Sequence, residues 1–217
     1  HEAMDNATEE HIAECAFISG TLAGREVVLS RSGIGKVAAA LDCALLIARY
    51  HADCVINSGS AGGLGSGLKI GDTVICTRAA HHDADLTTFG YPPGQMAGQE
   101  LYFEADPTMV SKAEQAALAL RGRFSGSIYR GTVLTGDQFV SNPQRKQELQ
   151  KLFPDALAAE MEGAAIAQVC HQFRVPFLII RAISDAAEEQ NPMNFEDFLP
   201  LASHNSALLV RQLIEML

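Results

Sequence analysis

No run of lysines or arginines occurs anywhere in the 217 residues, and acidic side chains outnumber basic ones by 26 to 16, giving a formal net charge of −10. A phosphate backbone is held by clustered cations, so this balance argues against nucleic acid as a partner and leaves open a small neutral or cationic ligand. No apolar stretch is long enough to span a bilayer, which argues against a membrane partner. The five cysteines (Cys15, Cys43, Cys54, Cys76 and Cys170) are odd in number and show no C-x-x-C spacing. Neither a disulfide framework nor a redox motif is indicated, and reduced thiols in a cytoplasmic protein are expected. Repeats, low-complexity tracts and linkers are also absent, so residues 1–217 are expected to form a single domain large enough for a substantial core.

What the chain does contain is alternation. Short β-branched runs at 26–30, 54–57, 73–77, 131–136 and 177–184 are bounded by turn residues, and helical patterns cover 37–50, 107–120, 160–173 and 194–217. Such alternation predicts an α/β fold of three layers, αβα, with a central twisted sheet that is mostly parallel or mixed. The opening stretch HEAMDNATEEHIAEC has no initiator Met and reads as the tail of a helix followed by a loop. An N-terminal strand is therefore expected to be missing before His1.

In open α/β sheets a ligand sits at the carboxyl ends of the strands, and three strand ends carry unusual residues. CVIN runs into SGSAGGLGSG (58–67), where glycines let backbone N–H groups approach a ligand closely. It matches neither G-x-x-x-x-G-K-[ST] nor G-x-G-x-x-G, so nucleotide phosphate is poorly supported and a plain turn is the simpler account. SGIGK (32–36) has the same character. GTVLTG runs into DQF, placing Phe139 where an aromatic ring could stack on a flat heterocycle or merely join the core. FLIIRAIS runs into Asp185, where desolvation would raise a carboxyl pKa and suit a general acid, although Asp is also a common helix N-cap. HHDAD (81–85) raises the question of a metal, but adjacent His81 and His82 point apart and no complementary ligand set accompanies them, so no metal site is expected.

The stretch AAEMEGAAIAQVCH (158–171) poses a sharper question. Read as a helix start, it sets Glu160 and Glu162 on opposite flanks, so each acid needs its own partner. Both could complement the helix dipole. The helix behind them is apolar on nearly every face, however, and a buried carboxylate needs hydrogen-bond donors from protein or ligand.

Taken in order, SGIGKVAAAL, INSGSAGGL, HDADLTTFGY, TGDQFV, AEMEGAAIAQVCH and RAISDAA resemble the bacterial 5'-methylthioadenosine/S-adenosylhomocysteine nucleosidases of the purine nucleoside phosphorylase superfamily, from about Gly20 to Leu217. The resemblance implies a nucleoside phosphorylase-like fold and a homodimer. It implies hydrolysis of the N-ribosidic bond of 5'-methylthioadenosine, S-adenosylhomocysteine and 5'-deoxyadenosine, without metal or organic cofactor. It places Asp185 at the purine N7, held by Ser184, with Ser60 and Arg181 positioning the attacking water. Phe139 would stack on adenine while the Val140 backbone reads its edge. Met161 and Glu162 would hold the ribose hydroxyls with Glu160 in support, beside the Ala61–Gly62 turn. Ile34, Leu86, Phe89, Tyr91 and Phe195 would line the apolar 5'-thio pocket, the loop residues reaching in from the partner subunit. Relatives of this kind begin with a strand, a turn and a run of acids that includes the water-activating Glu, so roughly a dozen residues with that Glu are expected before His1.

Two rivals remain at this stage. A purine nucleoside phosphorylase would use phosphate instead of water, but the Arg that such enzymes carry before the Gly-Ser turn is replaced here by Asn57. A catalytically silent nucleoside-binding protein on the same fold is the other.

Overall fold

The computed structural model describes residues 3–123, 126–185 and 195–217, the last segment by its backbone alone as far as residue 202. It opens with three antiparallel strands, β1 (Asp5–Ile12), β2 (Cys15–Leu22) and β3 (Arg25–Ser30), which form a sheet of their own. This corrects the expectation of a helix tail and loop over 1–15. β1 is polar and exposed along nearly its whole length, so it shows no alternation to read. It is a strand because it pairs residue by residue with β2 from Thr8–Ser19 to Ile12–Cys15. Glu9 and Glu10, expected outside any strand, lie on it, and Glu10 accepts a 2.8 Å hydrogen bond from the Tyr50 hydroxyl.

The remaining strands are β4 (Val55–Gly63), β5 (Thr73–His81), β6 (Phe103–Glu104), β7 (Ile128–Thr135), β8 (Ala156–Glu160) and β9 (Phe177–Asp185), in the order β6-β5-β7-β8-β4-β9. Pairings β4–β9, β5–β7 and β7–β8 are parallel, whereas β4–β8, β5–β6 and β5–β9 are antiparallel. The sheet is thus mixed, and the β5–β9 pairing curls it into a ring. Every residue of β9 is buried until Asp185, the reason its sequence is apolar apart from Arg181 and Ser184 rather than alternating.

Helix α1 (Lys36–Tyr50) packs on α4 (Gly163–Phe173), and α2 (Pro107–Ala119) packs on α5 (Phe195–Met216). The core between these layers holds Val74, Ile75, Leu178, Ile179, Ile180 and Ile183 from the strands and Cys43, Ile166 and Leu213 from the helices. This is the αβα arrangement expected. A further helix, α3 (Pro143–Leu152), is polar and was not anticipated. Its start is nonetheless marked by Asn142, whose side chain accepts from the Gln144 N–H at 2.8 Å, followed by proline at the first helical position. Its Leu149, with Phe153 just beyond its end, closes a second cluster over Leu64, Ala80 and Leu134. Among the described residues no helix is long and apolar enough to cross a membrane.

Two boundaries move in ways that shape the site. The first part of the glycine-rich stretch is not a loop: β4 runs through Asn57 to Gly63, paired with β9 from Val55–Phe177 to Gly62–Asp185, and only 64–67 turn away from the sheet. The helix expected from residue 160 starts only at Gly163, and Ala156–Glu160 is a strand.

Candidate active site

Glu160 and Glu162 therefore do not flank one helix. Glu160 ends β8 and Glu162 is the residue preceding α4, and the expectation that they share no partner is corrected, because Arg181 lies within ion-pair distance of both. The Glu160 carboxylate is buried and fully engaged. It accepts from Glu162 N at 3.0 Å, from Gly163 N at 2.9 and 2.8 Å, and from the Thr135 hydroxyl and an Arg181 Nη in short contacts. Burial pushes its carboxyl up, but the Arg181 charge and these donors outweigh that and hold it below the ordinary glutamate range. Glu160, expected by resemblance in a supporting role, makes these contacts to protein groups alone.

Arg181 is only 1% exposed, and its Nη2 also reaches Asn57 Oδ1 at 2.5 Å. The guanidinium lies across β4, where a Cβ placed on Gly59 would stand 2.7 Å from Nη1. A glycine is required here by the close approach of a side chain, not by a turn.

Glu162 is different. Its Oε1 takes the backbone N–H of Gly35 at 2.9 Å, and its Oε2 lies 3.9 Å from Arg181, which is committed to Glu160. Burial, opposed by Gly35 and reinforced by the Glu160 charge, pushes the Glu162 carboxyl above the ordinary value. It is a half-buried acceptor with capacity to spare, as a ligand hydroxyl would need.

Asp185 closes β9 where the strand reaches solvent. The Ser184 hydroxyl shares its one proton between Asp185 Oδ1 at 3.0 Å and the Ala61 carbonyl at 3.2 Å. A Cβ at Gly62 would stand 3.1 Å from Asp185 Oδ2, so the glycine keeps β4 close to the carboxylate. Ser60 and the buried Ala61 precede it on the same strand.

The β7 exit carries Phe139, 72% exposed, and the half-buried Val140, which packs on the second cluster. Ile34 is 80% exposed in the turn before α1, and Phe89 is 76% exposed in a short 3-10 turn, Thr87–Phe89, flanked by half-buried Leu86 and Tyr91. Met161 is half-buried between the two acids. Phe195 begins α5, but its side chain lies outside the described residues. The strand ends of β4, β7, β8 and β9 thus bring Ser60, Ala61, Gly62, Phe139, Val140, Glu160, Met161, Glu162, Arg181, Ser184 and Asp185 to one end of the sheet, and Gly35 ties the turn carrying Ile34 to them.

HHDAD contributes differently from a metal set. His81 Nε2 is 3.0 Å from Gln168 Oε1, and the buried His82 ring lies against Gly136, where a Cβ would collide with it. Burial lowers the pKa of both imidazoles. Asp83 takes Lys36 Nζ on both oxygens, at 2.7 and 2.9 Å. Lys36, Asp83, Thr135 and Asp137 were not singled out individually. The only signal for them was their adjacency to motifs that were.

Residues 2–215 match the model of the phosphorylase superfamily. A 5'-methylthioadenosine/S-adenosylhomocysteine nucleosidase of Shewanella sediminis is 47% identical over 218 residues, covering 100% of this chain and 93% of that protein. Among solved structures, the nucleosidase from Neisseria meningitidis in complex with methylthio-immucillin-A superposes with a TM-score of 0.94 at 45% identity, covering 100% of this chain and 92% of that one. The enzyme from Colwellia psychrerythraea in complex with adenine gives 0.92 at 40% identity, covering 98% and 87%.

Proposed function

The chain belongs to the 5'-methylthioadenosine/S-adenosylhomocysteine nucleosidases of the phosphorylase superfamily, and on that premise we propose that its site hydrolyses the N-ribosidic bond of these two nucleosides, and of 5'-deoxyadenosine, releasing adenine and the 5'-substituted ribose. Such a step serves methionine salvage and removes the by-product of methyl transfer. The observation that carries the reading is the pair of carboxylates at one sheet end with opposite situations: Asp185 tethered by Ser184 at the rim, and Glu162 held by Gly35 with acceptor capacity free.

Breaking the bond from C1' to the base nitrogen N9 builds positive charge on the sugar and negative charge on the base. A proton delivered by Asp185 to N7 lets adenine leave neutral, a contribution of roughly 10² to 10⁴ in rate. Glu162 accepts hydrogen bonds from the ribose hydroxyls and, being anionic, stabilises the developing cation, with Met161 packing beside it. Phe139 stacks on the purine and the Val140 backbone reads its edge. Ser60 and Arg181 orient the water that attacks C1', which gives up its proton to the acidic general base that the resemblance implies, and Glu160 holds Arg181 in place. No step of this reading calls for a cofactor or metal.

Phosphorolysis is disfavoured because the buried cation at this end is already spoken for. Arg181 is paired with Glu160 and Asn57, leaving little charge for a phosphate dianion. Adenine release from methylthioadenosine in phosphate-free buffer, followed by a coupled oxidase, tests the assignment, and ribose 1-phosphate formed in phosphate buffer would overturn it. A purified protein that binds adenine but never releases it from the nucleoside would establish the silent binder instead.

We further propose a cytoplasmic homodimer. The free cysteines, including Cys43 and Cys170 with sulfurs 3.6 Å apart, suit a reducing compartment. Exposed Ile34 and Phe89 suit a subunit contact in which the 86–91 loop completes the neighbour's 5'-thio pocket.

A further inference from the structure

The proposed reaction gives HHDAD no part, yet one of its carboxylates ties together three of the loops around the site. Asp83, whose side chain is 16% exposed, sits just beyond β5 and accepts three hydrogen bonds from two donors. Lys36 Nζ reaches both oxygens, and the backbone N–H of Asp137 donates to Oδ2 at 2.9 Å. Asp137 Oδ1 in turn accepts the Lys36 backbone N–H at 2.8 Å, which closes a ring of contacts over the start of α1 and the exits of β5 and β7. Burial raises the Asp83 pKa, but Lys36 and the Asp137 N–H reverse that and keep it low, so the ring is ionic at neutral pH.

Each side of this ring ends at a group that faces substrate in the reading above. Next to Lys36 stands Gly35, whose N–H fixes Glu162. Two residues beyond Asp137 is Phe139. The Gly35 turn has φ of +91°, and a Cβ there would stand 3.0 Å from Asp137 Oδ1, so the two loops meet at this closeness only because the residue is glycine. We propose that Asp83, acting through Lys36 and Asp137, is a positioning residue that sets the distance between the ribose clamp at Glu162 and the base platform at Phe139. The proposal rests on the nucleosidase reading.

A group that acts on substrate placement shows itself in binding, since Asp185 and its proton are untouched once substrate is seated. Asp83→Ala strips Lys36 of its main acceptor and leaves the Asp137 N–H unpaired, and is expected to raise KM for methylthioadenosine about tenfold, with kcat changed by less than about threefold. Affinity for free adenine falls in parallel, because Phe139 shifts. Lys36→Met, which keeps the apolar stem, gives the same split. The double variant is no worse than the worse single one, because the two residues act as a unit. Asp83→Asn, retaining one acceptor oxygen, falls between wild type and Asp83→Ala. Should Asp83→Ala fail to fold, Asp83→Asn and Lys36→Met decide by the same measures. Variants whose KM and adenine affinity stay within about twofold of wild type overturn the proposal, as do variants whose losses follow only a lowered Tm. A wild-type protein that releases no adenine overturns the nucleosidase reading and this proposal with it, whereas an active wild type with an unaltered Asp83→Ala KM removes the positioning role alone.

Discussion

Two glutamates separated by one residue have carboxyls shifted in opposite directions, because burial raises Glu162 while at Glu160 the Arg181 charge and protein donors outweigh burial. Glu160, held low by Arg181 and its neighbours against the effect of burial, contributes stability that is present above the ordinary glutamate value and lost as pH falls through its depressed one. For Glu162 the sign reverses. Its raised carboxyl contributes stability to the unliganded fold below the ordinary value, and that contribution is lost as pH rises through the raised one. Ribose hydroxyls that donate to Glu162 require the ionised form, so substrate binding must remove a proton at mildly acidic pH. KM for methylthioadenosine is therefore expected to rise as pH falls from neutral toward 4.5, the ordinary value. Glu162→Gln should give a high KM that no longer follows pH, and a wild-type KM that stays flat over this range would dissociate Glu162 from the sugar. Asp185 bears on turnover instead. Asp185→Asn keeps shape and hydrogen bonding but has no acid proton to give, and kcat should drop by roughly 10² or more while adenine still binds. Retention of kcat within about tenfold would take the general-acid role away from this residue.

At the level of elements, the sequence was most legible where burial is one-sided or complete. The apolar run at 177–184 is β9, and the patterns at 37–50 and 107–120 are α1 and α2 to within a residue. It was least legible around the site. Ala156–Glu160 is rich in alanine and buried, and composition of that kind does not separate a buried strand from a buried helix, so β8 was merged into α4. Glycines disfavour strands on propensity, yet Gly59, Gly62 and Gly63 lie on β4 because Arg181, Asp185 and Ile183 crowd its backbone, a tertiary demand that no local pattern carries. That crowding can be tested. Arg181 is fixed by Glu160 and Asn57 and has no room to retreat, so Gly59→Ala must displace the guanidinium or bend β4. Overpacking of this kind costs about 1–3 kcal/mol, readable in urea unfolding, and kcat/KM should fall alongside because Ser60 and Arg181 move together. Unchanged stability and activity in Gly59→Ala would mean that Arg181 is not held as the hydrogen bonds indicate.

For the whole molecule, the ring of contacts that gathers the strand ends leaves one face apolar. Along α1, Ala39, Cys43 and Ile47 face the core, while Val37 and Leu41, 82% and 51% exposed, lie one turn apart on the outer side, and Ile34 is exposed in the turn before the helix. The exposed Phe89 adds to the apolar surface of the single chain. The resemblance singled out Leu86, Phe89 and Tyr91, but the sequence gave no sign of Val37 and Leu41, because an exposed apolar stripe and a buried one have the same period. In a chain with net charge of −10, a stripe of this kind is suited to a second copy, which would bury it isologously about a two-fold axis. In the proposed dimer, Leu41→Glu would place like charges across that axis, and light scattering should then find a monomer where the wild type gives a dimer. If the 86–91 loop completes the neighbour's pocket, the monomer loses more than its oligomeric state. KM for methylthioadenosine rises, whereas affinity for free adenine, which has no 5' substituent to seat, stays near that of the dimer. Phe89→Ala in an intact dimer should reproduce the same discrimination between nucleoside and base without dissociation. A monomeric Leu41→Glu protein with wild-type kcat/KM would show that each chain carries a complete site and that the stripe serves some other contact.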